Sequence, residues 1–180
     1  MTGVVTMDAA DIGEAGGKAR ALAVLKAEGF EVPPFFILTD RAFDGHCLTE
    51  VAAAALEPAL TKLGPGPFAV RSSAQAEDGA TDSHAGQFET KLSVATADIA
   101  AAAAEVRASG LSDRVTAYRG ARAIDGTDLP AVIVQTMVDA RAAGVAFSAD
   151  PVRGLRGRTV ISAVAGLGEA LVSGAVDGET

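Results

Sequence analysis

The sequence predicts a mixed α/β (α+β) fold, and three observations carry this prediction. Helix-forming segments dominate the first third of the chain, and strands mix with helices afterwards. Short apolar runs of strand length are separated by Gly, Asp-Pro and Arg-Gly turns. The chain of 180 residues is long enough for one sizeable core or for two small lobes that share a cleft.

The first predicted helix covers residues 16–29, where Gly-Gly-Lys precedes a run of good helix formers that ends at a glycine. The Val-Pro-Pro segment at 32–34 favours extended backbone, because the residue before a proline is biased away from the helical region. The apolar run FFILT follows and predicts a buried strand.

Residues 39–63 are predicted to be helical, with Thr49 as a possible N-cap and Pro58 as a residue that should break or restart the helix. The Gly-Pro-Gly-Pro segment at 64–67 is the clearest linker in the chain. We therefore expect an N-terminal lobe over 1–63 and a second lobe over 67–180.

The second half begins with a short predicted strand, FAVR, followed by a long polar loop and an alternating strand over 88–94. The alanine-rich segment that follows predicts a helix with Thr96 as cap and Gly110 as stop, and a second helix is predicted over 112–122. Three apolar runs, AVIVQTMV, GVAFSAD and RTVISAVAG, predict the remaining strands.

Composition and charge argue against several classes of protein. The chain has 15 Lys and Arg against 23 Asp and Glu, a net charge of −8, which opposes general binding to nucleic acid. Cys47 is the single cysteine, so no internal disulfide can form, and two histidines, His46 and His84, give a metal cluster few members. We expect no catalytic role for His84. With no signal-like start and no apolar run of about 20 residues, the sequence predicts a cytoplasmic protein without a membrane partner.

The segment Gly16-Gly17-Lys18 is similar to a phosphate-binding loop but departs from that motif. The motif needs four residues between its first Gly and Gly-Lys and then Ser or Thr, whereas Gly13 is too close and Ala19 follows the lysine. A lysine at a Gly-rich helix N-terminus still favours an anion. The alternative is a flexible turn with a solvated lysine, which this segment alone favours.

The polar stretch after FAV offers a second candidate for anion binding. Arg71 ends an apolar strand, and its guanidinium is a planar fork of donors suited to phosphate oxygens. The serines at 72–73 add hydroxyl groups, and Gly86 would let the backbone approach a ligand closely. The alternative is an ion pair of the arginine with Glu77 or Asp78 across a surface loop.

Taken in order, these segments resemble the N-terminal ATP-binding domain of phosphoenolpyruvate synthases, which pyruvate phosphate dikinases and rifamycin phosphotransferases share. The segments that carry the resemblance are GGKARALAVL, VPPFF, VRSSAQAED, HAGQFET, AVIVQTMV, GVAFSADP and ISAVAGLGEALVSG. The resemblance implies an ATP-grasp-like nucleotide-binding fold that is incomplete at its C-terminal end. It also implies the ATP-binding part of a dikinase-type phosphotransferase.

Seven residues of this sequence match the family's nucleotide site: Lys18, Arg71, Gly86, Thr90, Gln135, Met137 and Val138. The resemblance implies that Lys18 and Arg71 hold the phosphates of ATP. It further implies that Gly86 and Thr90 belong to an element that folds over the nucleotide. Phosphoryl transfer depends mainly on positioning and on neutralising phosphate charge, and two cations with a close backbone suit that task.

Three of these residues are implied at the adenine side of the site. Gln135 matches the strand that holds the nucleotide at the hinge, and Met137 and Val138 are expected to contribute main chain and apolar contact. The family also implies Mg²⁺, with ligands expected outside this chain, and a phosphohistidine on a downstream domain or a separate chain. The alternative function is a shortened, non-catalytic module that binds a nucleotide or a partner.

Overall fold

The computed structural model describes residues 3–6, 15–74, 89–111, 129–150, 153–176 and 178. The chain divides into two compact units, Met1–Met137 and Val138–Thr180. This boundary differs from the linker boundary expected from the sequence, because the 64–67 segment lies inside the first unit. The mixture of helices and antiparallel sheets confirms the α+β fold class.

The first unit is built on a five-stranded antiparallel sheet. Its strands are β1 (Val4–Thr6), β2 (Phe35–Leu38), β5 (Phe68–Ser73), β6 (Thr90–Val94) and β7 (Ala131–Thr136), and two short strands, β3 (Phe43–Asp44) and β4 (Cys47–Leu48), form a separate hairpin. The order across the sheet is β1-β2-β7-β5-β6. The central strand β7 is buried along most of its length, as its continuous apolar run predicts.

Among the described residues, the helices that cover this sheet are α1 (Gly16–Ala27), α2 (Glu50–Leu63) and α3 (Ile99–Ala108). The predicted cap of α2 is confirmed, because the Thr49 hydroxyl accepts a hydrogen bond from the Ala52 N–H at 3.2 Å. The expected break at Pro58 is wrong. Pro58 and the residue four positions earlier, Ala54, both face solvent, where water can bond the carbonyl that proline leaves unpaired.

The predicted cap at Thr96 is also wrong. A short 3₁₀ turn occupies Thr96–Asp98, and α3 follows it without a side-chain cap bond. The predicted strands FFILT, FAVR, 88–94 and AVIVQTMV are confirmed within a few residues at their ends. The helix predicted over 112–122 lies outside the described residues.

Side chains alternate along the strands, so the sheet has two distinct faces. We call the side covered by α2 and α3 the core face; it carries the larger apolar cluster, which includes Phe36, Leu38, Phe68, Val70, Val132 and Val134. We call the opposite side, covered by α1, the α1 face; its smaller cluster includes Phe35, Ile37, Ala131 and Ile133 with Ala15 and Ala19. Successive residues of one strand therefore pack on different faces of the sheet.

A buried arginine ties the core side of this unit together. Arg107 of α3 is 3 % exposed and stacks over the Phe43 ring, with its guanidinium carbon 4.4 Å from the ring centroid. Its Nε donates to the Gly45 carbonyl at 2.9 Å, one terminal nitrogen donates to the Pro130 carbonyl at 3.0 Å, and the other pairs with Asp40. All three guanidinium nitrogens have a hydrogen-bond partner within the protein, so the role of Arg107 is structural.

The second unit is an antiparallel hairpin followed by one turn of helix. Strands β8 (Ala142–Ala149) and β9 (Arg156–Ala165) confirm the last two predicted strands, and α4 (Glu169–Val172) follows them. In the part of the chain that the structure describes, no helix is both long and apolar enough to cross a membrane.

Candidate functional site

Arg71 lies near the end of β5, on the α1 face of the sheet. Its neighbours in the strand, Val70 and Ser72, are fully buried on the core face, whereas Arg71 is only half-buried. In the sheet register Arg71 stands directly opposite Thr90 of β6 and Ile133 of β7. Directly opposed residues point to the same side with their Cβ atoms about 5 Å apart, so Thr90 lies beside the guanidinium stem.

The N-terminus of α1 is bound to the end of the same strand by three hydrogen bonds. The Gly17 N–H donates to the Ala74 carbonyl at 3.0 Å, and the Ala19 N–H donates to the Ser73 hydroxyl at 3.2 Å. Between them, the Lys18 ammonium donates to the Ser72 carbonyl at 3.4 Å. The ammonium therefore lies one residue along β5 from Arg71, although 53 positions separate the two cations in sequence.

The close approach of helix and strand depends on Gly16. Its backbone has φ +76°, a conformation that residues with a Cβ rarely adopt. A Cβ at this position would also overlap the Ser73 carbonyl. Gly16 of the Gly-Gly-Lys segment thus lets the helix start directly against the strand end. This tertiary contact argues against the flexible-turn alternative for Lys18.

The two serines after Arg71 differ from the sequence-based expectation. Their hydroxyls were expected to face a ligand, but Ser72 is 0 % exposed and Ser73 is 1 % exposed. The Ser73 hydroxyl is engaged by α1, and the Ser72 hydroxyl is buried without a hydrogen-bond partner among the residues described. In this structure both serines belong to the interior, because an extended strand here continues two residues beyond the arginine.

Gln135 lies near the end of β7, and Met137 follows that strand directly. Gln135 stands opposite Ala69 of β5, two residues from Arg71, and its amide donates to the Pro33 carbonyl at 3.1 Å. The Met137 N–H donates to the Pro67 carbonyl at 3.1 Å, so this donor is already used. Because Ser93 engages its sulfur, the main-chain carbonyl of Met137 is the candidate acceptor for a ligand.

The Met137 side chain is held by a strained residue. Ser93 of β6 has φ +56°, and its N–H donates to the Met137 sulfur at 2.9 Å. Of the remaining predicted residues, Val138 belongs to the second unit and is 56 % exposed. Gly86 lies outside the described residues.

The structure thus brings four predicted residues to one side of the first unit: Lys18, Arg71, Thr90 and Gln135. Lys18 and Arg71 place two positive charges near one strand end, and both would attract an anion bound there. The arrangement suits a ligand with several negative oxygens. The alternative ion pairs of Arg71 with Glu77 or Asp78 fall on residues outside the described ranges. Within those ranges no three His, Cys, Asp or Glu side chains are grouped as a metal site.

Two contacts that shape this site were not apparent from the sequence. The bond from the Ala19 N–H to Ser73 joins residues 54 positions apart, and the bond from Ser93 to Met137 joins residues 44 apart. Neither has a local sequence signal. The one available hint was the paired glycine before Lys18, which indicates close backbone approach but does not name the partner.

Comparison with known proteins gives a consistent picture. Residues 48–180 match the family model described as pyruvate phosphate dikinase, AMP/ATP-binding domain. The chain is 36 % identical to a rifampicin phosphotransferase from a Streptomyces species, over 95 % of this chain and 25 % of that protein. It is 37 % identical to the prodigiosin synthesizing transferase PigC of Serratia marcescens, over 89 % and 21 % respectively.

A phosphoenolpyruvate synthase of Aeropyrum pernix is 32 % identical, over 89 % of this chain and 26 % of that protein. The chain therefore spans about a quarter of the length of the curated relatives that it matches.

Proposed function

The chain belongs to the pyruvate phosphate dikinase AMP/ATP-binding domain family, and from this premise we propose that it binds ATP as the nucleotide-binding part of a dikinase-type phosphotransferase. In this proposal the nucleotide lies on the α1 face of the first unit. The β-phosphate of ATP passes to a histidine on a separate domain or chain, in an ATP-grasp-like arrangement of a cytoplasmic enzyme. The division into an N-terminal lobe over 1–63, with the Gly-Gly-Lys helix, and a nucleotide-binding lobe over 67–180 stays a prediction.

One observation carries this proposal: the contacts between α1 and β5 bring Lys18 and Arg71 to the same strand end. The guanidinium would donate in a fork to two phosphate oxygens, and the ammonium would act as a compact point charge on a neighbouring oxygen. Thr90, opposite Arg71, offers a hydroxyl at the same place. These groups position and neutralise phosphates, which is most of what phosphoryl transfer asks of a protein.

The adenine end of the ligand is proposed to lie toward Gln135 and Met137, with Val138 following. The carboxamide oxygen of Gln135 and the main-chain carbonyl of Met137 are acceptors suited to an exocyclic amine. Gly86 is proposed to approach the phosphates by its backbone. Magnesium ligands are proposed to come from outside this chain.

Isothermal titration with ATP tests the phosphate assignment. We expect the double variant Lys18→Ala/Arg71→Ala to bind ATP at least a hundredfold more weakly than the parent, since each charge-assisted contact contributes about 1.5–3 kcal/mol. The matched control is Arg20→Ala/Lys26→Ala, which removes the same charge from exposed positions of α1. It should change the affinity by no more than about threefold.

Equal affinity of the Lys18/Arg71 variant and the parent would show that the site is wrong. Equal weakening by both double variants would mean that net charge, and not this site, governs binding. Product analysis separates the enzyme from the non-catalytic module. Mixed with a chain that carries both the phosphohistidine domain and the proposed magnesium ligands, an enzyme part should support phosphorylation of that histidine, whereas a binding module should not.

A further inference from the structure

The end of β5 carries two adjacent buried serines with different surroundings. Ser73 lies on the α1 face, 1 % exposed, and its hydroxyl accepts the Ala19 N–H of α1 at 3.2 Å. Ser72 lies on the core face, 0 % exposed, opposite Val132, and its hydroxyl has no partner in the described part of the chain. Only one of the two hydroxyls connects the strand to the helix.

The Ser73 contact acts on the residue next to Lys18. Ala19 lies in the first turn of α1, where the carbonyl of the N-cap residue Ala15 accepts the first hydrogen bond within the helix. The Ser73 hydroxyl is an additional acceptor for the Ala19 N–H, and such shared hydrogen bonds are common at helix ends. The Gly17 N–H, on the other side of the lysine, is held by the Ala74 carbonyl. The backbone on both sides of Lys18 is therefore attached to β5.

We propose that Ser73 is a positioning residue that fixes the Lys18 ammonium relative to Arg71, and so sets the spacing of the two cations for the phosphates. This inference rests on the proposed function. Arg71 is part of β5, so its stem moves with the strand, whereas Lys18 lies on α1 and depends on the contacts between α1 and β5 for its position. The Ser73 hydroxyl is the side-chain contact that attaches the residue next to Lys18 to the strand, and ligand groups are effective only when their spacing is held.

The test is the effect of Ser73→Ala on the ATP dissociation constant of the full chain, measured by isothermal titration in the parent and in a Lys18→Ala background. In the parent background we expect about a tenfold weakening, a fraction of the loss from removing the lysine itself. In the Lys18→Ala background the same change should weaken binding by less than about twofold, because the group that Ser73 positions is gone.

Ser72→Ala is the matched control, since it removes the neighbouring buried hydroxyl on the other face of the same strand. We expect it to leave the ATP affinity within about twofold of the parent. Far-UV circular dichroism and thermal unfolding establish that each variant is folded at the titration temperature. If Ser73→Ala does not fold, Ser73→Cys keeps the volume with a weaker acceptor and carries the same two-background comparison.

The outcomes separate the possible failures. If the parent binds ATP and Ser73→Ala binds it with unchanged affinity, the inference is wrong and the proposed function is unaffected. An equal loss in both backgrounds also overturns it, because a general structural effect does not depend on Lys18. A parent that does not bind ATP overturns both the inference and the proposed function.

Discussion

The two faces of the five-stranded sheet differ in role: the core face packs against helices, and the α1 face carries the candidate site. On the core face, Phe68 and Val70 of β5 pack against α2 and α3. On the α1 face, the alternate residues of that strand include the half-buried Arg71 of the candidate site and Ser73, which bonds α1. A single strand thus contributes alternately to stability and to the site, because its side chains alternate with period two.

Each face also has its own arginine, and the two show how surroundings decide a role. Arg107, on the core side, is fully buried and bonds three separate segments of the chain. Arg71 is half-buried at a strand end, and among the described residues no carboxylate pairs with it. We therefore expect substitutions on the core side to change stability alone and substitutions on the α1 face to change nucleotide binding as well.

The largest effect is expected from Arg107→Met. The variant leaves the carbonyls of Gly45 and Pro130 without their donor and removes the stacking over Phe43. We expect the free energy of unfolding to fall by about 4 kcal/mol, measured by urea denaturation. The pair with Asp40 adds little, because that carboxylate is mostly exposed.

Arg20→Met, at an exposed position of α1, is the control for this change and should lower the unfolding free energy by less than about 0.5 kcal/mol. At a temperature where Arg107→Met is folded, its ATP affinity should equal that of the parent. A loss of affinity without a loss of stability would contradict the division of labour between the two faces.

An intermediate effect is expected from Gly16→Ala on the α1 face. The new Cβ would overlap the Ser73 carbonyl, at a backbone φ of +76° that alanine adopts with strain. We expect a loss of about 3 kcal/mol in unfolding free energy, together with weaker ATP binding, because α1 must move away from β5.

Gly29→Ala is the control that separates the cost of backbone strain from the loss of the contact between α1 and β5. Gly29 has a similar φ of +85°, but nothing lies within 4 Å of an added Cβ. This variant should cost only about 1 kcal/mol and leave ATP binding unchanged. Equal effects of the two variants would mean that backbone strain explains everything and that the helix–strand contact is unimportant.

The smallest effect is expected at the rim of the core face, where Lys91 pairs with Glu105 of α3. The hydrogen bond from Lys91 to Glu105 raises the pKa of the lysine from its ordinary value of 10.5. A raised pKa in the folded state stabilises the fold fully below pH 10.5, and this contribution is lost as the pH rises through the folded-state pKa.

Lys91→Met should therefore lower the thermal midpoint by less than about 2 °C at pH 7, because the pair is exposed. The difference from the parent should be the same at pH 9 and should shrink above pH 10.5. A difference that grows with pH in that range would contradict the assignment.

Much of the architecture could be predicted from local sequence, and the failures have identifiable causes. The strands of the first unit and the start of α1 follow from apolar runs and glycine punctuation. Pro58 was expected to break α2, but its solvent-facing position lets water bond the freed carbonyl. Ser72 and Ser73 were expected at a ligand, but β5 extends past Arg71 and takes both serines into the interior. Burial of this kind depends on neighbouring strands, which local sequence does not reveal.

The sequence by itself determined the alternation of side chains, the candidate cations and the resemblance to a family, since these depend on residue order and composition alone. Only the tertiary structure decided that Lys18 and Arg71 lie at one strand end, and that Ser73 faces a helix while Ser72 faces the core. The physical reason is that hydrogen bonds between residues more than 50 positions apart form only when two elements pack together, and packing is a property of the whole sheet.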